Sequence, residues 1–266
     1  MLTLNLGPLA LAMHHVLIIT SMLLATLCGW WAGRRAGCNP EKHLFHLLIV
    51  AVLVARAAFV ASFLAQYREQ PWGILDLRDG GFIAWPGIAA ALLVGIWKLY
   101  RRPEQRRPLG LAICTGLLCW GAGSLALEHL QRQARLPDLP LTNLEARPIN
   151  LKDYQGKPVV INLWATWCPP CRREMPVLAK AQASRPDITL VFVNQGETPD
   201  EVRRFLESQG LTLDNLLLDA NSELGHQAGS MALPTTLFYD AQGHQVGNHL
   251  GELSAASLEQ ALQALE

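Results

Sequence analysis

The pattern of apolar and polar positions changes character near residue 130. Ahead of that point lie four apolar stretches, Leu9–Ala32, Leu44–Gln66, Phe82–Leu99 and Leu109–Leu127. Each is long enough, or nearly so, to cross a hydrocarbon core of about 30 Å. They predict an all-α transmembrane bundle of four spans over residues 1–130. A polar segment broken by Pro137 and Pro140 follows, and residues 131–140 read as a linker. Its shortness keeps the next domain close to the membrane surface.

Beyond the linker, short apolar runs alternate with amphipathic ones. A strand or hairpin is expected over Leu141–Asn150, a fully apolar strand at Pro158–Trp164 and a helix from Pro170 to Ser184. Strand Ile188–Asn194, helix Pro199–Gln209, strand Leu216–Asp219 and a helical turn at Ser222–Ala228 come next. Strands Thr235–Asp240 and Gln245–Leu250 flank a turn at Ala241-Gln-Gly243, and Ser254 caps a last amphipathic helix ending at Leu265. Residues 141–266 therefore predict an α/β domain, a mixed sheet with helices on both faces.

Charge settles the expected orientation. Arg34, Arg35 and Lys42 lie between spans one and two, and Lys98, Arg101, Arg102, Arg106 and Arg107 between spans three and four. The intervening loop holds only Arg68 and Arg78. Positive residues stay cytoplasmic, so both chain ends face outward. In a bacterium this implies a multi-pass inner-membrane protein with its C-terminal domain in the periplasm, where disulfides persist. The first stretch lacks a basic segment ahead of it and does not read as a cleaved signal. Hydrophobic residues make up 50% of the chain and charged ones 17%, too apolar for an ordinary soluble protein. Membrane lipid is one expected partner. The net charge of zero argues against nucleic acid.

Several polar residues fall in the apolar half. Cys28, Cys114 and Cys119 lie near the cytoplasmic ends of spans, where they serve either an electron relay or small apolar packing. Cys114 and Cys119, at i and i+5, fall on different helix faces. His14 and His15 suit the outer interface, and Arg56, mid-span, must snorkel, pair or line a cavity.

Chemistry concentrates in the second half. Trp167-Cys-Pro-Pro-Cys171 follows an apolar strand and opens a helix. That placement suits thiol–disulfide exchange, because unpaired N–H groups and the helix dipole stabilise a thiolate on Cys168, and Cys171 sits one turn on to resolve a mixed disulfide. Pro169 and Pro170 remove backbone donors beside the thiolate and temper that stabilisation. Zinc would need two further ligands; His226, His244 and His249 are present but no second chelating pair is, so neither a metal nor another cofactor is expected. Glu174 reads as a surface residue paired with an arginine.

The run Asn162-Leu-Trp-Ala-Thr-Trp-Cys-Pro-Pro-Cys-Arg-Arg-Glu-Met-Pro176, with Gly156-Lys-Pro158 before it and Leu233-Pro-Thr-Thr236 after it, resembles the TlpA-like and ResA-like thiol–disulfide oxidoreductases. The resemblance covers residues 137–266 and implies a thioredoxin-like fold. It also implies Cys168 as the exposed nucleophile, Cys171 as the buried resolving thiol and Pro234 as a cis-proline. Leu233 would offer its backbone to an incoming chain, with Trp167 at the site's edge. Thioredoxin itself has a buried aspartate where this chain has Asn162, so another group must take the resolving thiol's proton. Val193-Asn-Gln-Gly-Glu197 resembles the run in which ResA-like proteins carry such a glutamate, which makes Glu197 the candidate base. The family's members draw electrons from a transmembrane thiol protein and pass them to periplasmic protein disulfides, including those of cytochrome c maturation. Reductase is the implied direction, with oxidase or isomerase as alternatives on the same site.

The membrane half has its own resemblance. Gly33-Arg34-Arg35, Arg56-Ala-Ala-Phe-Val and Gly80-Gly-Phe-Ile-Ala-Trp85-Pro-Gly87 are similar to the N-terminal part of prolipoprotein diacylglyceryl transferase. That family carries His-Gly where Trp85-Pro86 stand here, and its later spans are missing. A membrane scaffold without the transferase chemistry is implied, serving as anchor or as docking module.

Overall fold

A computed structural model describes residues 3–6, 9–34, 37, 39–68 and 71–265. Arg35 and Cys38 lie outside these described residues. The chain divides into two compact units, Met13–Leu127, and Glu128–Glu266 together with Met1–Ala12.

The first unit is helical: α1 (Met13–Gly33), α2 (Glu41–Ser62), α3 (Ala84–Arg101) and the greater part of α4 (Arg106–Gln133). Three of these, α1, α2 and α4, are long and apolar enough to cross a membrane. The first helix begins later than the apolar pattern predicts, because Leu9–Ala12 (β2) pairs antiparallel with Thr3–Leu6 (β1). Small residues set the helix contacts. A Cβ at Gly29, Gly116 or Gly123 would meet Ala112, Ala25 or Leu17 respectively, and residue numbers summing to about 140 make α1 and α4 antiparallel. A Cβ at Gly87 would lie 2.3 Å from the Ala51 carbonyl, and one at Gly95 would meet Leu47, so α2 and α3 are antiparallel too. Large apolar side chains such as Leu23, Trp31, Leu53, Leu93 and Leu118 point outward, the arrangement expected when lipid is the solvent.

Arg56 takes one of the three courses its position allowed. It is 7% exposed and pairs with Asp79 at 2.9 Å. The partner comes from the loop after α2, where charge placement along the spans alone gave no hint of it. The guanidinium also donates to the carbonyls of Gly73, Ile74, Asp76 and Gly81 at 2.7–3.2 Å. Cys28 and Cys119 line one groove of about 530 Å³ with Leu24, Leu27, Trp30, Trp31 and Thr115, and the Thr115 hydroxyl donates to Cys28 Sγ at 3.3 Å. Cys114 is exposed. His14 and His15 are exposed in the first turn of α1.

The second unit is an α/β fold. Its strands are β3 (Pro140–Asn143), β4 (Pro148–Asn150), β5 (Val159–Trp164), β6 (Thr189–Gln195), β7 (Leu216–Asp219), β8 (Thr235–Tyr239) and β9 (Gln245–Leu250). They form one sheet in the order β4-β3-β7-β6-β5-β8-β9, with β7-β6-β5 parallel and the other pairings antiparallel. Helices α5 (Pro169–Ser184), α6 (Pro199–Gln209), α7 (Glu223–Ala228) and α8 (Ala255–Gln263) complete it.

All six residues of β5 are buried, and their period of two feeds two cores. Val159, Ile161 and Leu163 join Val191, Val193, Leu217 and Leu237 on one face; Val160 and Trp164 join Phe192, Met175, Leu178 and Phe238 on the other. The predicted linker proves to be structured. Helix α4 runs to Gln133, Arg135 bridges His244, and Leu136 and Leu139 are buried in the core. Its two leucines were the sign of this, since apolar side chains in a segment of this length gain by burial.

Gly87 and Gly110 provide a matched test of the membrane unit. A Cβ at Gly110 meets nothing within 4 Å. Gly87→Leu should lower the thermal midpoint of the purified chain, an overpacking cost of about 1–3 kcal/mol, and Gly110→Leu should leave it unchanged or raise it. Equal effects on a melting curve would contradict the close α2–α3 approach.

Candidate active site

Strand β5 ends at Trp164 and four residues later Cys168 caps α5 with extended backbone, φ −85° and ψ 108°. Pro169 and Pro170 have no N–H to offer, so the first donor of the helix is the Cys171 amide. It donates to Cys168 Sγ at 3.3 Å. Cys168 and Cys171 are joined as a disulfide with Cα atoms 5.3 Å apart. Cys171 is fully buried, as expected. Cys168 is also nearly so, at 3%, a correction to its expected exposure. In the disulfide its sulfur turns inward to Cys171, while the flanking Trp167, 66% exposed, and Pro169 face outward.

Glu174 is the residue that sequence reasoning placed wrongly. It is fully buried and, among the described residues, has no arginine partner. The buried stripe of α5 is Cys171, Glu174, Met175 and Leu178, spaced i, i+3, i+4 and i+7. That spacing was the available signal, since i and i+3 share a helix face. Arg173, one position earlier, is the residue that forms the surface pair, with Glu252. The Glu174 carboxylate accepts from Asn162 Nδ2 at 2.8 Å and from the Leu253 amide at 3.0 Å. Burial raises its pKa to about 7, outweighing these two hydrogen bonds. Asn162 also donates to the Thr236 hydroxyl at 3.0 Å, tying β5 to β8 beneath the site.

Glu197, two residues past the end of β6, is half-buried and holds the segment leading into Cys168. Its carboxylate accepts from the Thr166 amide at 2.7 Å, from the Thr166 hydroxyl and from Asn194 Nδ2 at 2.7 Å. These are contacts with the approach to the site, not with either sulfur. The Leu233–Pro234 bond is cis. Leu163 faces Thr235 in the β5–β8 register, so Pro234 falls at the level of Trp164, the end of β5 from which the cysteines follow. Trp164 packs against Phe205 with ring centroids 5.5 Å apart. Among the described residues no group of three His, Cys, Asp or Glu side chains could hold a metal ion.

Both halves of the chain are similar to known proteins. Residues 133–245 match the AhpC/TSA family, and residues 1–121 match the prolipoprotein diacylglyceryl transferase family. The chain is similar to the thiol-disulfide oxidoreductase ResA of Geobacillus thermodenitrificans, 33% identical over 132 residues, covering 49% of this chain and 75% of that protein. It is also similar to the thioredoxin-like protein YneN of Bacillus subtilis, 32% identical over 137 residues, covering 50% and 79%. Among solved structures, a putative thiol:disulfide interchange protein DsbE from Chlorobium tepidum covers 50% of this chain and 96% of its own, at 27% identity and a TM-score of 0.45.

The raised pKa of Glu174 has a definite sign. Between the ordinary carboxyl value of 4.5 and about 7 the folded chain keeps a proton that the unfolded chain has lost. Stability of the oxidised chain should therefore fall as pH rises through that window, by about 3 kcal/mol in total. Glu174→Gln should flatten this dependence and remove a carboxyl infrared band that titrates near neutrality. A band that persists in the variant would assign the titration elsewhere.

Proposed function

Because this chain belongs, through its C-terminal domain, to the ResA-like thiol–disulfide oxidoreductases, we propose that it is a membrane-anchored disulfide reductase working in the bacterial periplasm. The observation that carries the chemistry is the CPPC disulfide at the start of α5 with a buried carboxyl one turn beyond Cys171. Protein disulfides are the substrate class that the family implies.

In the reduced enzyme the Cys168 thiolate, favoured by the helix terminus and the Cys171 amide, attacks one sulfur of a substrate disulfide. A mixed disulfide forms and the other substrate sulfur leaves as a thiolate. Cys171 gives its proton to the Glu174 carboxylate and attacks Cys168 Sγ. The second substrate thiolate is released and takes up a proton, and the enzyme is left as the Cys168–Cys171 disulfide. Two electrons have passed to the substrate. A dithiol donor must return them, and a transmembrane thiol protein fits that need. We assign the base role to Glu174 in place of Glu197, whose three hydrogen bonds suit it to positioning Thr166 ahead of the nucleophile. Cis-Pro234 and the Leu233 backbone, with exposed Trp167, would receive the substrate chain.

Four spans fit the membrane unit. Helix α3, at 18 residues, reaches about 27 Å, close to the hydrocarbon thickness, and lies antiparallel to α2. Basic residues Arg34, Lys42, Lys98, Arg101, Arg102, Arg106 and Arg107 cluster where these helices turn, and Lys98 Nζ is 3.1 Å from His43 Nδ1. That end is cytoplasmic by the positive-inside rule, which directs the catalytic domain outward. The membrane unit then serves as anchor and docking module.

Direction is tested by trapping thiols from acid-quenched cells with a mass tag. A mostly reduced Cys168–Cys171 pair is expected; a mostly oxidised pair would make the enzyme an oxidase. Cys171→Ser should accumulate mixed disulfides through Cys168, and Cys168→Ser should abolish them. In stopped flow, attack by Cys171 should slow about tenfold per pH unit below 7, and Glu174→Gln should be slower by about 10²-fold with a flat profile. An unchanged profile would return the base role to another group.

A further inference from the structure

The loop after α2 exposes apolar side chains that neither the redox chemistry nor the helix packing uses. Trp72 is 84% exposed, and Leu64, Leu75, Leu77 and Trp85 are exposed as well. Residues Pro71–Leu75 form a 3₁₀ turn, in which positions i and i+3 eclipse. Trp72 and Leu75 therefore project from one side of that turn.

Several of its backbone carbonyls are already engaged. Arg56 donates to the carbonyls of Gly73, Ile74, Asp76 and Gly81. The Asp79 carboxylate accepts from the Gly81 amide at 3.1 Å, the Asp76 carboxylate accepts from the Arg78 amide at 3.0 Å, and the Asp76 amide donates to Gly73 at 3.1 Å. The Ile83 amide closes the loop onto α2 through the Ala55 carbonyl at 3.2 Å. Irregular backbone enters a bilayer more readily where its polar groups are engaged internally, and here one buried guanidinium takes up the carbonyls of Gly73, Ile74 and Asp76. Tryptophans at the ends of spans prefer the headgroup level, where an apolar ring and a polar N–H are both accommodated. Trp85, second residue of α3, stands at such an end, so the exposed patch continues the outward apolar surface of α2 and α3.

The geometry points to an interfacial loop: residues 71–77 lie in the outer leaflet of the membrane, with Trp72 and Leu75 immersed among phospholipid headgroups and upper acyl chains, held there by Arg56. This goes beyond anchoring by the helices and rests on the reading that they cross the membrane. Its occupant is lipid, and a protein partner is the competing outcome.

The test uses the full chain in vesicles of phosphatidylethanolamine and phosphatidylglycerol. Cys28, Cys38, Cys114 and Cys119 are replaced by Ser, and retained disulfide-exchange activity serves as the folding control. Nitroxides are placed singly through Trp72→Cys, Leu75→Cys, Arg78→Cys and Leu93→Cys, and collisions with oxygen and with a water-soluble nickel chelate are compared. Positions 72 and 75 should lose nickel collisions relative to 78 and keep oxygen collisions, as Leu93 on α3 does. Leu75→Cys retains Trp72, so it reports even where loss of the tryptophan frees the turn. Nickel access at 72 and 75 equal to that at 78, with Leu93 in lipid, would overturn the interfacial loop alone. Loss of both kinds of collision at 72 and 75 would mean that protein covers the patch, and would overturn it also. Nickel access at Leu93 would instead remove the transmembrane reading beneath it.

Discussion

The catalytic unit is organised around one constraint, the complete burial of β5. Its six side chains have no solvent to face, so alternate residues are committed to opposite cores and the strand has a single acceptable register. The carboxyl end of that strand, in the interior of the sheet, delivers the chain to Cys168, which caps α5. Shifting the strand by one residue would exchange Val160 and Trp164 for Ile161 and Leu163, and would take Asn162 away from Glu174. The position of Cys168 thus follows from hydrocarbon packing several residues upstream, more than from anything in the Cys-Pro-Pro-Cys run itself.

The one polar side chain of β5, Asn162, borders the carboxyl proposed above as the base. Asn162 stands between two apolar positions of β5 and supplies one of the two donors that the Glu174 carboxylate accepts. Two neutral donors do not compensate for the loss of water around a charge, so the carboxyl is poised near neutrality. An arginine in place of Asn162 would hold it ionised, and an apolar residue would hold it protonated. An amide leaves it able to change state during a reaction. Glu197 has different surroundings. Its hydrogen bonds come from Thr166, just ahead of Cys168, and from Asn194, groups along the path of the chain.

In the proposed membrane setting, the helical unit obeys the same rule in a different solvent. Hydrophobic burial gives little drive where lipid surrounds the helices, so contacts rely on glycine and alanine allowing close approach. Charge is tolerated only where every donor is occupied. Arg56 satisfies this by gathering four carbonyls and one carboxylate from a single loop. Its role is to build local structure, and it leaves no donor for an anionic substrate. That is consistent with the replacement of the transferase family's His-Gly by Trp85-Pro86.

What the sequence by itself determined was whatever depends on local order: apolar periods and turns, the N-terminal cysteine of α5, the hairpin of β8 and β9, and a proline ahead of a strand. These are set by residues within a few positions of one another. Leu136 and Leu139 were as local, yet the prolines around them masked a segment that packs. The tertiary structure alone decided the partners of charged side chains. Glu174 could be placed on the buried face from its spacing, but its donors lie on β5 and beyond β9, 12 and 79 residues away. Asp79 reaches Arg56 across 23 residues and a change of direction. A charge's state depends on which dipoles surround it within a few ångströms, and only the folded chain brings those dipoles together.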